Sequence, residues 1–206
     1  MKHAQFVNAA KAGVFAITAF VGMSQATAQT NPQSTDLYIG GALLGGARYE
    51  LDCTGGIRCD RSPTGGAGKL FAGGFIVPNK IGIEASLFGT GKANGAYTRG
   101  SLTLPAEFRT RGLALAGVYR ISSGDVALDT RLGLAYTRSQ TRGTSASGLP
   151  TETKSAFAPT FGLGARYAIS KDWQLNLDWD WFRPKFANGK SVNTDMFTAG
   201  VTYNFR

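Results

Sequence analysis

The sequence predicts an all-β fold: an up-and-down antiparallel barrel of about eight strands that crosses a lipid bilayer. Three observations predict it. Apolar residues recur at every second position along most of the chain, the period of a strand and not of a helix. Tight turns alternate with long connections. The apolar rows carry aromatic residues near both of their ends, as strands do where they meet two membrane interfaces. The bulk composition agrees. A chain of 206 residues suits one domain, and 28 Gly against 7 Pro fits a sheet with many bends. Charged residues make up 17%, below the quarter usual in a soluble domain.

Eight segments carry the alternation. The first runs from about Asp36 to Arg48, with Leu37, Ile39 and Leu43 on one face. The second runs from about Lys69 to Val77, with Phe71, Phe75 and Val77 as its apolar face. The third, about Ile81 to Lys92, presents Ile81, Ile83, Ala85 and Leu87, and the fourth, about Glu107 to Ile121, presents Leu113, Leu115, Tyr119 and Ile121. The pattern sharpens further on. Val126, Leu128, Thr130, Leu132, Leu134 and Tyr136 alternate with Ala127, Asp129, Arg131, Gly133, Ala135 and Thr137. Phe157, Phe161, Leu163, Ala165, Tyr167 and Ile169 alternate with Ala158, Thr160, Gly162, Gly164 and Arg166. Trp173, Leu175, Leu177, Trp179 and Trp181 oppose Gln174, Asn176, Asp178 and Asp180. Phe197, Ala199, Val201, Tyr203 and Phe205 oppose Thr198, Gly200, Thr202, Asn204 and Arg206. Each segment is long enough to cross a bilayer as a tilted strand of about 9–11 residues.

Between them, Pro78-Asn79-Lys80, Ser122-Ser123-Gly124-Asp125 and Ser170-Lys171-Asp172 read as tight turns. The stretches Tyr49–Gly68, Ala93–Ala106, Arg142–Lys154 and Pro184–Asn193 read as long loops. Short turns on one side and long loops on the other belong to membrane barrels, with the short side periplasmic. A soluble, lipocalin-like barrel would also alternate. It would then have to bury Glu84, Arg120, Asp129, Arg131, Arg166, Asp178 and Asp180, which share the face opposite the apolar rows. These are three cations and four anions. They make a poor soluble core, whereas inside a narrow transmembrane barrel they are expected to pair as an ion network. Eight strands enclose a space that side chains fill, so no open pore is expected.

The N-terminus narrows the setting. Met1-Lys2-His3 opens a basic region reaching Lys11, Ala12 to Met23 are almost all apolar or small, and Ala26-Thr27-Ala28 follows as an A-x-A cleavage site. This is the pattern of a secretory signal peptide, and the apolar stretch is shorter than the roughly 20 residues of a membrane-spanning helix. Residues 1–28 are therefore expected to be a signal peptide and residues 29–206 one barrel domain. The formal net charge of +9 becomes +7 once Lys2 and Lys11 are removed. A basic balance points to anionic partners: nucleic acid, phosphate-bearing lipid or acidic polysaccharide. Export sets nucleic acid aside. In an oxidising compartment Cys53 and Cys59 are expected to form a disulfide at the tip of the first long loop, with a reactive thiol pair as the alternative. The bridge would rigidify a binding surface or protect the loop from proteolysis. Two Cys without other soft ligands nearby do not complete a zinc shell, and no cofactor is implied.

Catalytic constellations are sparse. His3, in the signal segment, is the only histidine, so Ser-His and Asp-His mechanisms are excluded from the exported chain. Asp178 and Asp180 lie about 7 Å apart on one strand face, a separation that suits a glycosidase. Pairing with Arg131 and Arg166 is the reading favoured, because a filled barrel admits no sugar chain. Gly65-Gly66-Ala67-Gly68-Lys69 fails as a phosphate loop: Pro63 stands where Gly is required and Leu70 where Ser or Thr is. It reads as a flexible loop.

Leu37-Tyr38-Ile39-Gly40-Gly41, Phe161-Gly162-Leu163-Gly164-Ala165-Arg166-Tyr167 with its turn, and Gly200-Val201-Thr202-Tyr203-Asn204-Phe205 together resemble the eight-stranded OmpA/OmpX-like outer-membrane barrels. The last of these is similar to the signal read by the barrel assembly machinery, in the positions Gly200, Tyr203 and Phe205, with Arg206 following the final aromatic. The resemblance implies a bacterial outer-membrane protein with that machinery as its partner in biogenesis. Arg109, Arg111 and Arg138 share the lipid-facing parity beyond the apolar band, on the long-loop side. They are expected to meet phosphates of lipopolysaccharide, since Arg recognises phosphate by forked hydrogen bonds; otherwise they snorkel into water. The function expected is non-enzymatic: a structural envelope protein, in contact with outer-membrane lipid and lipopolysaccharide, whose loops bind surface partners. A small porin-like channel is the alternative, and an envelope enzyme the remoter one.

Overall fold

The computed structural model describes residues 36–50, 64–99, 102–123, 125–143, 151–186 and 191–205. The expected signal segment, residues 1–28, and the pair Cys53 and Cys59 lie outside them. Nine strands follow one another: β1 (Leu37–Glu50), β2 (Thr64–Val77), β3 (Ile81–Thr90), β4 (Ala93–Arg99), β5 (Leu102–Ser123), β6 (Val126–Gly143), β7 (Glu152–Ala168), β8 (Trp173–Phe182) and β9 (Asn193–Phe205). All pairings are antiparallel. β3 skips β4 and pairs with β5, from Ile81 opposite Tyr119 to Gly89 opposite Arg111. β1 pairs with β9, from Leu37 opposite Phe205 to Glu50 opposite Asn193. Eight strands thus close an up-and-down barrel. β4 pairs with the first part of β5, Ala93 opposite Phe108 to Arg99 opposite Leu102, and forms a hairpin that prolongs the wall beyond the barrel.

Local chemistry sets the turns. In Pro78–Lys80 the proline presets the first turn position, and Asn79 has φ 53°, a left-handed conformation that Asn tolerates. The Lys80 amide then donates to the Val77 carbonyl at 3.0 Å. At the β7–β8 turn the amides of Ile169 and Ser170 donate to the Trp173 carbonyl, and Ser170 Oγ accepts from the Trp173 amide at 3.1 Å.

The outer wall is apolar on every barrel strand. Leu115, Leu128, Leu132, Leu134, Leu177 and Phe157 all stand exposed, a surface that only lipid can cover without penalty. Tyr119, Tyr167, Trp173 and Phe205 stand outward near the short turns, and Tyr136, Phe157 and Phe197 near the long-loop end. Neighbouring rings interlock: Trp173 with Tyr203 at 5.1 Å, Tyr203 with Phe205 at 5.0 Å and Tyr136 with Phe157 at 5.2 Å between centroids.

Two sequence expectations are corrected. In β2 the lipid-facing row is Leu70, Ala72, Gly74 and Ile76, while Phe71 and Phe75 are buried in the lumen. A register shift between Phe75 and Val77 leaves both Ile76 and Val77 exposed. The aromatic rings turn inward because guanidiniums wait there: Arg166 lies 4.8 Å from the Phe71 centroid and Arg120 4.4 Å from that of Phe75. A cation over a ring face is worth about 2 kcal/mol once water is excluded, enough to offset the lipid contact forgone. The long loops are also shorter than expected. Thr64–Gly68 belongs to β2, Ala93–Ala106 is largely the β4–β5 hairpin, and β6 and β7 run on to Gly143 and from Glu152. A bulge in β1 between Ala42 and Leu44 lets Leu43 and Leu44 both face lipid and reverses the parity above it, so Ala47 and Tyr49 point inward.

Candidate functional site

The lumen is built of alternating ionic and apolar groups. Near the short turns Arg120 faces Asp129 across the β5–β6 ladder, with Nε–Oδ1 at 2.6 Å and Nη2–Oδ2 at 2.9 Å. Arg166 of β7 reaches the same carboxylate, Nε–Oδ2 2.8 Å, and approaches Glu84 Oε2 at 3.5 Å. Arg131 of β6 contacts Asp178 at 2.7 Å, Asp180 at 3.2 Å and Glu84 at 3.8 Å. The 2.7 Å approach of Arg131 to Asp178 lies off the hydrogen-bond direction, so it acts as a charge contact. Tyr38 donates to Glu84 Oε2 at 3.0 Å and Asn176 to Asp178 Oδ2 at 2.9 Å, while Thr202 accepts from Arg166. All seven charged residues singled out from the sequence lie in this one assembly.

Sequence reasoning missed an eighth member. Lys69 of β2 is buried and pairs with Asp180 at 2.7 Å and Asp178 at 3.4 Å. With it the set becomes four cations, Lys69, Arg120, Arg131 and Arg166, against four anions, Glu84, Asp129, Asp178 and Asp180, and the lumen is neutral. The signal was present: three cations against four anions leaves one buried carboxylate uncompensated, which low dielectric penalises heavily. The missing cation is Lys69, at the start of the second segment, in the row of Phe71 and Phe75 that the alternation assigns to the apolar face.

Two glycines make the room. A Cβ on Gly162 would sit 2.5 Å from Asp180 Oδ1 and 2.8 Å from Arg131 Nε, and one on Gly164 2.6 Å from Asp178 Oδ1. Above the ions, Ala47, Ala67, Phe88, Ala114, Ala135, Phe182 and Met196 fill the bore. Higher still, Phe186 from the β8–β9 connection seats between Tyr49 and Phe108, ring centroids 5.9 and 5.7 Å away.

The remaining sequence-selected residues lie outside the lumen. Arg109 and Arg111 of β5 and Arg138 of β6 share the outward parity of Leu113, Leu115 and Leu134, near the long-loop end. Arg111 stands directly opposite Arg138, and Arg109 opposite Gln140. None of the three forms an ion pair with a carboxylate of the described residues, and Arg109 Nε has no hydrogen-bond partner. On β9, Tyr203 and Phe205 stand on the outer wall, and Gly200 lies opposite Ala42 of β1. A Cβ at Gly200 would collide with the Gly41 carbonyl of the neighbouring strand, next to the β1 bulge. Among the described residues no group of three or more His, Cys, Asp and Glu is placed to hold a metal ion.

An apolar wall between two aromatic girdles, closed on itself around a charge-balanced interior, defines a small transmembrane β-barrel. The chain belongs to the outer membrane protein beta-barrel domain family, whose model matches residues 14–205. Its place is the bacterial outer membrane. It is 27% identical over 208 residues to Outer membrane protein A of Yersinia pseudotuberculosis, a match covering 95% of this chain and 55% of that protein. The chain thus spans about half the length of that relative. Among solved structures the barrel is similar to Neisserial surface protein A, with TM-score 0.59 and 16% identity over 82% of this chain and 97% of that one. It is also similar to OprG of Pseudomonas aeruginosa, TM-score 0.58 and 15% identity over 84% and 96%. Ail, the attachment invasion locus protein of Yersinia pestis, gives TM-score 0.51 and 18% identity over 83% and 97%, and has also been solved with the heparin analogue sucrose octasulfate. At these identities the likeness is one of fold.

Proposed function

We propose that the protein is a non-enzymatic envelope barrel whose long-loop end, facing outward from the cell, engages anionic groups at the cell surface. The observation that carries this is where the charge lies. Residues 29–206 hold 20 Lys and Arg against 13 Asp and Glu, a net +7 once Lys2 and Lys11 are set aside. The lumen is neutral. By sequence position the short-turn end is neutral too, with Lys80, Lys171 and Arg206 against Asp36, Asp125 and Asp172. Counted along the sequence, all of the excess positive charge falls in the segments that lead into and form the long loops. Charge segregated in this way steers anionic partners to that face.

The first partner is lipopolysaccharide, whose phosphates lie at the level of Arg109, Arg111 and Arg138. Replacing all three by Gln should strip co-purifying lipopolysaccharide from the barrel while its heat-dependent gel mobility is kept; unchanged co-purification would remove the proposal. The complex of Ail with a heparin analogue supports a second reading, capture of polyanionic surface ligands by the same end. Retention on immobilised heparin that falls away between low and high salt would support it, and passage through the column at low salt would count against it. The assembly machinery is the proposed partner in biogenesis through Gly200, Tyr203 and Phe205, and a Cys53–Cys59 disulfide is proposed for the first loop.

A further inference from the structure

We infer that the β5–β6 wall carries a single phosphate clasp, formed by Arg111 and Arg138, and that the barrel therefore holds lipopolysaccharide on one side only. The inference rests on the lipopolysaccharide reading above and narrows it to one site, one phosphoryl group and one wall.

The geometry of the ladder is the starting point. Arg111 and Arg138 are direct partners in the β5–β6 register. Side chains so placed stand with Cβ atoms about 4.5–5.5 Å apart on the same face, and like charges there repel. Nothing in the described chain relieves the repulsion. Glu107, four residues before Arg111 on β5, faces Arg142 across the ladder and is held by Lys92 at 3.2 Å, and Glu152 of β7 stands three rungs from Arg138. An outside anion bridging both guanidiniums converts the repulsion into two charge-assisted contacts, and a phosphate accepts them in forked geometry.

The flanks leave the pair open. Gly89 stands beside Arg111 on β3 and Ser155 beside Arg138 on β7. The stem of Arg111 lies over Gly89, its Cγ 3.8 Å from where a Cβ would be. One rung nearer the membrane centre are Leu113 and Tyr136, and Tyr136 packs against Phe157. That ring pair marks the headgroup boundary, so the clasp, two residues along a tilted strand, sits about 5 Å above it, at phosphate depth. On the opposite wall, β1 and β9, Arg48 faces Asp195, which already accepts from Trp179 Nε1 at 2.9 Å. That wall carries no excess positive charge, with Arg48 against Glu50 and Asp195.

The test is native mass spectrometry of the full-length barrel purified from outer membranes, reading lipopolysaccharide molecules retained per barrel. One is expected for the parent. R111Q/R138Q should retain roughly a hundredfold less, as loss of two charge-assisted contacts implies, and R48Q should retain as much as the parent. R111K/R138K, which keeps charge but not the fork, should fall between. Heat-dependent gel mobility checks folding in each case. If R111Q/R138Q keeps its lipid while R109Q/R111Q/R138Q loses it, the clasp is wrong and the broader reading stands. If the triple variant also keeps it, both fall. Lipopolysaccharide stripped of its phosphates should not rebind; if it does, or if phosphatidylglycerol binds equally well, the phosphate clasp for lipopolysaccharide is overturned.

Discussion

Arg120 and Asp129 face each other on the β5–β6 ladder and are joined by two hydrogen bonds of 2.6 and 2.9 Å, with Asp129 also serving Arg166. One carboxylate thus binds two buried guanidiniums, and Glu84, 3.5 Å from Arg166, supplies the second negative charge. Asp129→Asn keeps the shape and removes the charge. It should destabilise the barrel by about 3–5 kcal/mol, the range for stranding a buried charge, read as a lowered urea midpoint for unfolding from detergent micelles. A change under about 1 kcal/mol would mean that water or lipid reaches this end of the lumen.

Lys69 offers a complementary test of charge balance. Lys69→Met leaves Asp178 and Asp180 short of one cation and should cost a similar amount. Adding Asp180→Asn to Lys69→Met should recover part of the loss, giving a coupling energy above about 1 kcal/mol in the double-mutant cycle. Strict additivity would show that Lys69 and Asp180 are independent.

Gly164→Ala places a methyl 2.6 Å from Asp178 Oδ1, in a bore with nowhere to move. A loss of about 1–3 kcal/mol is expected, the usual range for overpacking. Gly66→Ala is the control, since a Cβ there meets nothing within 4 Å, and it should leave the urea midpoint unchanged.

Gly200→Ala addresses the seam. Its methyl would strike the Gly41 carbonyl on the partner strand, so barrel closure should suffer in a refolding assay with purified chain and detergent alone. Normal refolding in vitro, with defective assembly in cells, would instead assign Gly200 to recognition by the assembly machinery.

Ring packing and ion pairing fill the described lumen from Tyr38 and Phe75 up to Phe186. The parent barrel is expected to stay silent in planar bilayers. Steady single-channel steps would revive the channel alternative and require the network to open.

Periodicity by itself determined the fold class, the eight barrel strands, the three short turns and the lipid-facing parity of seven of those strands. A strand's side-chain period is a local property, and the bilayer demands one apolar face for about ten residues at a time. The second strand escaped because Phe71 and Phe75 are as apolar as Leu70 and Ile76. Only the guanidiniums of Arg120 and Arg166, distant in sequence, decide which row turns inward. Tertiary structure likewise decided that Lys69 completes the ion network, that β1 changes parity at its bulge, that Gly162 and Gly164 are required by Arg131, and that Arg111 and Arg138 stand side by side. Each of these depends on register between strands. Register is set by the closure of the whole barrel, which no single segment encodes.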